Sequence, residues 1–134
     1  MTRVITHQLP SDKRAGFVVR EVVRLYNEKR RVAVWVADAS RRQALDEYLW
    51  TFEKLAFIPH VVWSESMGTV DDPVVLLGEP ANPNGAEALV VADDLPPELW
   101  VKSFDEVHDF CSPDDDGQKR ADWWRAWQAN HQKE

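Results

Sequence analysis

The sequence predicts a three-layer α/β/α sandwich on a mostly parallel sheet, and three observations carry that expectation. Short, almost unbroken apolar runs recur at Val32 to Val36, Val74 to Leu77 and Ala88 to Val91, as expected of central strands covered on both faces. Other stretches repeat their apolar residues every three to four positions, as helices with one buried face do. At 134 residues the chain is long enough to bury one core and too short for two ordinary domains, so a single domain over 1–134 is expected.

Taken in order, Arg3 to Leu9 reads as a first strand that stops at Pro10. Ser11-Asp12 offers an N-cap, and Phe17, Val18, Val22, Leu25 and Tyr26 mark a helix between Lys13 and Lys29. Arg31 to Val36 is the second strand, and Asp38-Ala39-Ser40 caps a second helix from Arg41 to Phe52, with Ala44, Leu45, Tyr48, Leu49 and Phe52 on one stripe. Ile58 to Trp63 is a strand entered through a turn. Val74 to Leu77 and Ala88 to Val91 are two more, joined by a linker with an Asn84-Gly85 turn signal. Phe104 to Cys111 alternates weakly like a strand, and the acidic run Asp114-Asp115-Asp116 precedes a last helix expected from Gly117 or Gln118 toward Asn130.

Composition removes several function classes. Apolar residues make up 44% and charged residues 29%, and no stretch approaches the roughly 20 apolar residues needed to span a bilayer. With no apolar leader after Met1, a cytoplasmic location is expected, with no membrane partner. The single cysteine, Cys111, excludes an internal disulfide and a thiolate zinc site, and is expected to be a partly buried free thiol. A net charge of −7 argues against tight direct binding to nucleic acid.

Signatures of chemistry are sparse. The turn after the first strand, Leu9 to Lys13, has no glycine, and Gly16, Gly68, Gly78, Gly85 and Gly117 form no phosphate-cradling motif. His7, His60, His108 and His131 lie far apart and read as isolated surface or strand-end residues; a metal site would have to be assembled from distant segments. Acidic pairs such as Asp93-Asp94 fall in expected loops, and Cys111 has no recognisable partner base. The expectation is a protein without catalytic residues, cofactor or metal.

Seven tryptophans are the compositional anomaly. Trp35, Trp50 and Trp63 are expected in the core. Trp123, Trp124 and Trp127 share the last helix with Lys119, Arg120 and Arg125. At about 100° per residue, Trp124, Trp127, Trp123 and His131 fall within about 60° of Arg120, and Arg125 sits at the edge. Part of this stripe is expected to pack on the sheet, through Trp123 or Trp127. The Arg120 edge is expected to stay exposed, because a buried guanidinium needs a hydrogen-bonded partner. Rings with basic margins suit a peptide carrying apolar and carboxylate side chains; a single-stranded nucleic acid would use the same residue types.

Three segments carry a family resemblance. Arg30-Arg31-Val32-Ala33-Val34-Trp35-Val36-Ala37-Asp38, followed by Gln43 to Trp50 with its Leu45-Asp46-Glu47-Tyr48-Leu49-Trp50 element, and then by Phe57-Ile58-Pro59-His60, resembles the chi subunit of DNA polymerase III. The similarity extends to the first helix, to Asp109-Phe110 and to the C-terminal aromatic helix. It implies a nucleotide-binding-like α/β/α fold without a nucleotide. It also implies an adaptor joining the clamp loader through the psi subunit and binding the acidic C-terminal tail of single-stranded-DNA-binding protein, with single-stranded DNA met only indirectly. Carried over by position, the psi-facing residues are Trp50 and Phe57, and the tail-binding pair is Trp124 and Arg125, continued by Trp127. The family's further basic positions on this helix fall on Ala121 and Gly117, so Arg120 and Lys119 are the expected substitutes. Outside that resemblance, the alternative readings are a small cofactor-binding protein or enzyme of flavodoxin-like architecture, or a direct single-stranded DNA binder.

Overall fold

The computed structural model of the chain describes residues 2–52 and 58–131. Six strands, β1 (Arg3–Gln8), β2 (Val32–Trp35), β3 (His60–Val62), β4 (Val74–Leu77), β5 (Ala88–Val91) and β6 (Glu106–Cys111), form one all-parallel sheet in the order β1-β6-β5-β2-β4-β3. Three helices accompany it, α1 (Ala15–Asn27), α2 (Ala39–Thr51) and α3 (Asp115–His131), with short 3-10 turns at Glu65–Met67 and Trp100–Ser103. The α/β class and parallel sheet agree with the sequence reading.

The face each helix covers follows from handedness. The chain steps from β1 across to β2 and on to β3 in one direction, so right-handed crossovers put α1 and α2 on the same face. It then returns through β4 and β5 to β6, leaving α3 on the other face. Strand side chains divide accordingly. Val32, Val34, Leu76, Val90 and Phe110 pack under α1 and α2, while Ala33, Trp35, Leu77, Val91 and Val107 pack with Trp124 and Trp127 of α3.

Local details depart from expectation at four points. Helix α1 starts at Ala15 behind Arg14 and has no side-chain cap; Ser11 instead accepts a hydrogen bond from the Lys13 N–H, which closes a turn ahead of the helix. Helix α3 starts at Asp115, before Gly117, with Asp114 accepting from the Gly117 N–H at 3.0 Å. Gly117 is in the first turn because a Cβ there would lie 1.7 Å from the Ser112 carbonyl oxygen. The third departure concerns tryptophan. Trp35 is buried as expected and Trp63 half-buried, but Trp50 is 46% exposed. Cys111 is fully buried rather than partly so, and burial pushes its thiol pKa up.

Candidate functional site

Helix α3 meets the sheet through a buried carboxylate. Asp109 on β6 has no solvent exposure and faces α3. Arg120 donates to it twice, from Nε to Oδ2 at 2.6 Å and from Nη2 to Oδ1 at 2.9 Å, and the Trp124 Nε1–H donates to Oδ2 at 2.5 Å. Arg14 adds a second cation at 3.6 Å. This fork-to-fork pair is the partner that a buried guanidinium requires. It corrects the expected site: Trp124, at 1% exposure, and Trp127, at 2%, are core residues, and Arg120 is drawn inward with them. Trp127 also donates to the Glu98 carbonyl at 2.9 Å. Trp123 is the half-buried member, stacked edge-on against Trp124.

The solvent face of α3 keeps two cations. Lys119 is exposed, and Arg125 is 73% exposed with an i,i+3 contact to Asp122 at 2.7 Å. Six residues apart, they point about 120° from each other around the helix. Gly117 bears on the departure from the family pattern, because a side chain there runs into the Ser112 backbone.

A crevice of about 420 Å³ opens beyond the carboxyl ends of the strands. Its apolar wall includes Val18, Leu45 and Tyr48, and Arg14, Arg41 and Arg120 converge on it. Each guanidinium is already engaged: Arg41 with the Asp93 carboxylate, Arg14 with the Phe110 carbonyl, and Arg120 with Asp109. Asp93 is itself buried and accepts the Asp38 N–H at 3.0 Å, tying the start of α2 to the end of β5. The crevice is a knot of ion pairs more than an open anion site.

At the opposite edge, α2 presents Trp50. Its ring lies 4.1 Å from that of His60, centroid to centroid. His60 is buried and fixed from both sides, by the Ile58 carbonyl at 2.7 Å from Nδ1 and by the Asp46 carboxylate at 3.0 Å from Nε2. An exposed aromatic ring on a pinned support can anchor a partner at low entropic cost. Phe57, expected beside it, lies outside the described residues.

Two histidines expected to be isolated are brought together. His7 of β1 and His108 of β6 approach at 3.0 Å, from Nε2 to Nδ1, and Glu21 of α1 lies 3.5 Å from the same His108 nitrogen. The sequence carried one sign of this, since Glu21 interrupts the buried stripe Val18, Val22 and Leu25 of α1. A carboxylate in such a stripe needs a polar partner.

The family model described as DNA polymerase III chi subunit, HolC, matches residues 1–133. A DNA polymerase III subunit chi of Pseudomonas aeruginosa is 32% identical over 111 residues, covering 80% of this chain and 75% of that protein. A probable DNA polymerase III subunit chi of Rickettsia prowazekii is 26% identical over 92 residues, covering 67% of this chain and 55% of that one. The chain therefore belongs to the DNA polymerase III chi subunit family.

Proposed function

We propose that this chain, a chi subunit with an accessory role in DNA replication, works as a non-catalytic adaptor in the polymerase III assembly. One surface, centred on Trp50 and, by the family resemblance, including Phe57, docks a clamp-loader protein of the psi type. The other, along α3, takes the acidic C-terminal tail of single-stranded-DNA-binding protein. The observation that carries the reading is Trp50, a large ring left 46% exposed on a rigid His60 support. Exposed aromatic anchors of this kind dominate interface energetics.

For the tail, Trp124 and Trp127 are buried, which supports reading them as the base that sets the height and rotation of α3. Lys119 and Arg125 supply charge to the carboxylates of the peptide, and the half-buried Trp123 supplies apolar contact. The test is titration of an acidic peptide ending in an apolar residue with a free carboxylate. Wild type should bind, Arg125→Ala and Lys119→Ala should each bind several-fold more weakly, and added salt should weaken all three. Unchanged affinity in both variants, or no binding below millimolar concentration, removes the site.

One observation favours a second reading, a small-molecule binder. The crevice lies at the carboxyl ends of the strands, where open α/β sheets hold ligands. A chromophoric cofactor retained by the purified protein would support that reading over the adaptor.

A further inference from the structure

The meeting point of β1, α1 and β6 holds two imidazoles and a carboxylate whose ligand atoms, His7 Nε2, His108 Nδ1 and a Glu21 oxygen, all lie within 4.8 Å of one another. We propose that these three residues form a binding site for one divalent transition cation, zinc being the best fit. Two imidazoles and one carboxylate are a recurrent zinc donor set, completed by a water in the fourth position.

Two of the three donor separations suit the ion as they stand. A tetrahedral centre with bonds of about 2.0–2.2 Å sets its donors a little over 3 Å apart. The two observed separations, 3.0 Å between the imidazole nitrogens and 3.5 Å from His108 Nδ1 to Glu21 Oε2, bracket that spacing. His108 is also oriented for the task. Its other nitrogen, Nε2, lies 2.9 Å from Glu106 Oε2, so a proton held there donates to the carboxylate and leaves the Nδ1 lone pair facing His7 and Glu21. Glu106 is in turn gripped by Arg3 and Arg30.

Two adjustments accompany loading. With the His108 proton on its Nε2, the His7 Nε2–H is the donor between the two rings, so on loading the His7 proton must pass from Nε2 to Nδ1 of the same ring through solvent. The ring stays neutral and no net proton is released. Arg24 holds Glu21 Oε2, with Nε at 3.0 Å, and must yield that oxygen. It has a second partner to fall back on, since its Nη1 already donates to Glu28 at 2.5 Å, and its side chain is about half exposed. The cation would cross-link the edge strand β1 to α1 and β6.

The test uses chain without a histidine tag, stripped of metal by a chelator, then titrated with Zn2+ against a chromophoric competitor. The expected result is one equivalent bound at micromolar or tighter affinity, with a rise in Tm. Substituting Co2+ should give the intense visible bands of a four-coordinate nitrogen and oxygen site. His7→Phe keeps a ring against Phe110 while removing the ligand, and Glu21→Gln keeps shape while removing charge. Each should lower affinity at least tenfold, whereas His131→Ala, at the far helix end, should not. Failure of wild type to bind Zn2+ below about 100 μM, a Co2+ spectrum of the hexaaqua ion only, or equal affinity in His7→Phe and wild type overturns the proposal.

Discussion

Asp109 is a carboxylate with no contact with water, held by Arg120, Trp124 and Arg14. Removing one side of such a pair strands the other in a low-dielectric interior, at about 3–5 kcal/mol. Asp109→Ala should lose stability in that range by denaturant unfolding, and replacing Asp109 and Arg120 together by Leu and Met should recover most of it. A double variant no more stable than the single one would mean the pair does not act as a unit. The sequence showed that Arg120 could be buried only with a partner, and that premise holds. The partner was not legible because it lies eleven residues away on β6, where register and helix docking decide the meeting. Glu106 gives a pH dependence. Burial would raise its carboxyl, but hydrogen bonds from His108, Arg3 and Arg30 outweigh that and hold it at about 2. A depressed carboxyl stabilises the fold above its unfolded value, near 4.3, and that contribution disappears as pH falls from about 5 toward 2. Discounted for the exposed Arg3, it is worth about 1–3 kcal/mol. Glu106→Gln should flatten the acid limb of a stability profile, and an unchanged slope would show that other carboxylates set it.

Secondary elements were the most legible level, for a physical reason. Central strands of a parallel sheet must be apolar on both faces, so β2, β4 and β5 announce themselves as runs such as Val74-Val75-Leu76-Leu77. Asp38 was recognisable as a cap because its work is local: it accepts the Arg41 N–H at 2.9 Å. The weak signal of β6 has the opposite cause. Its Glu106, His108 and Asp109 are all buried, so polarity there reports partners on β1, α1 and α3 and at Arg30 rather than exposure. Gly117 misdirected the reading of where α3 begins, since glycine disfavours helix interiors, whereas here it answers to a backbone contact. A change to alanine in a helix normally stabilises by about 1 kcal/mol. At Gly117 the new Cβ would meet Ser112 O, C and N at 1.7, 2.6 and 2.7 Å, and backbone cannot swing aside as a side chain can. Gly117→Ala should therefore destabilise, by about 1–3 kcal/mol. A Tm equal to or above wild type would show that the Ser112 to Asp114 turn yields freely.

At the scale of the molecule the sheet separates the two proposed docking surfaces. Helix α2, with Trp50, packs on β3 and β4 at one edge, while α3 packs on β6 and β1 at the other edge and on the opposite face. The strands between them are parallel and buried on both faces, and close-packed interiors of this kind favour a single arrangement. Coupling between ligands requires an element with two arrangements that both ligands bias. Without one, the two partners should bind independently. Trp50→Ala should weaken the psi-type partner by about tenfold or more while leaving tail-peptide affinity within about twofold of wild type. Arg125→Ala should do the reverse, and the double variant should show the sum of the single effects to within about 0.5 kcal/mol at each site. Trp50 packs on His60 and is about half buried, so its removal should also lower Tm, and lost binding counts as lost contact only at a temperature where the variant's circular dichroism is that of the folded chain. Titrating the tail peptide into chain already saturated with the clamp-loader partner is the direct measurement. Equal affinity with and without the partner fits a passive bridge, in which the gain comes from holding two assemblies at high mutual concentration. A change beyond about fivefold in either direction would mean that the sheet transmits a conformational signal, and the adaptor would then be a switch.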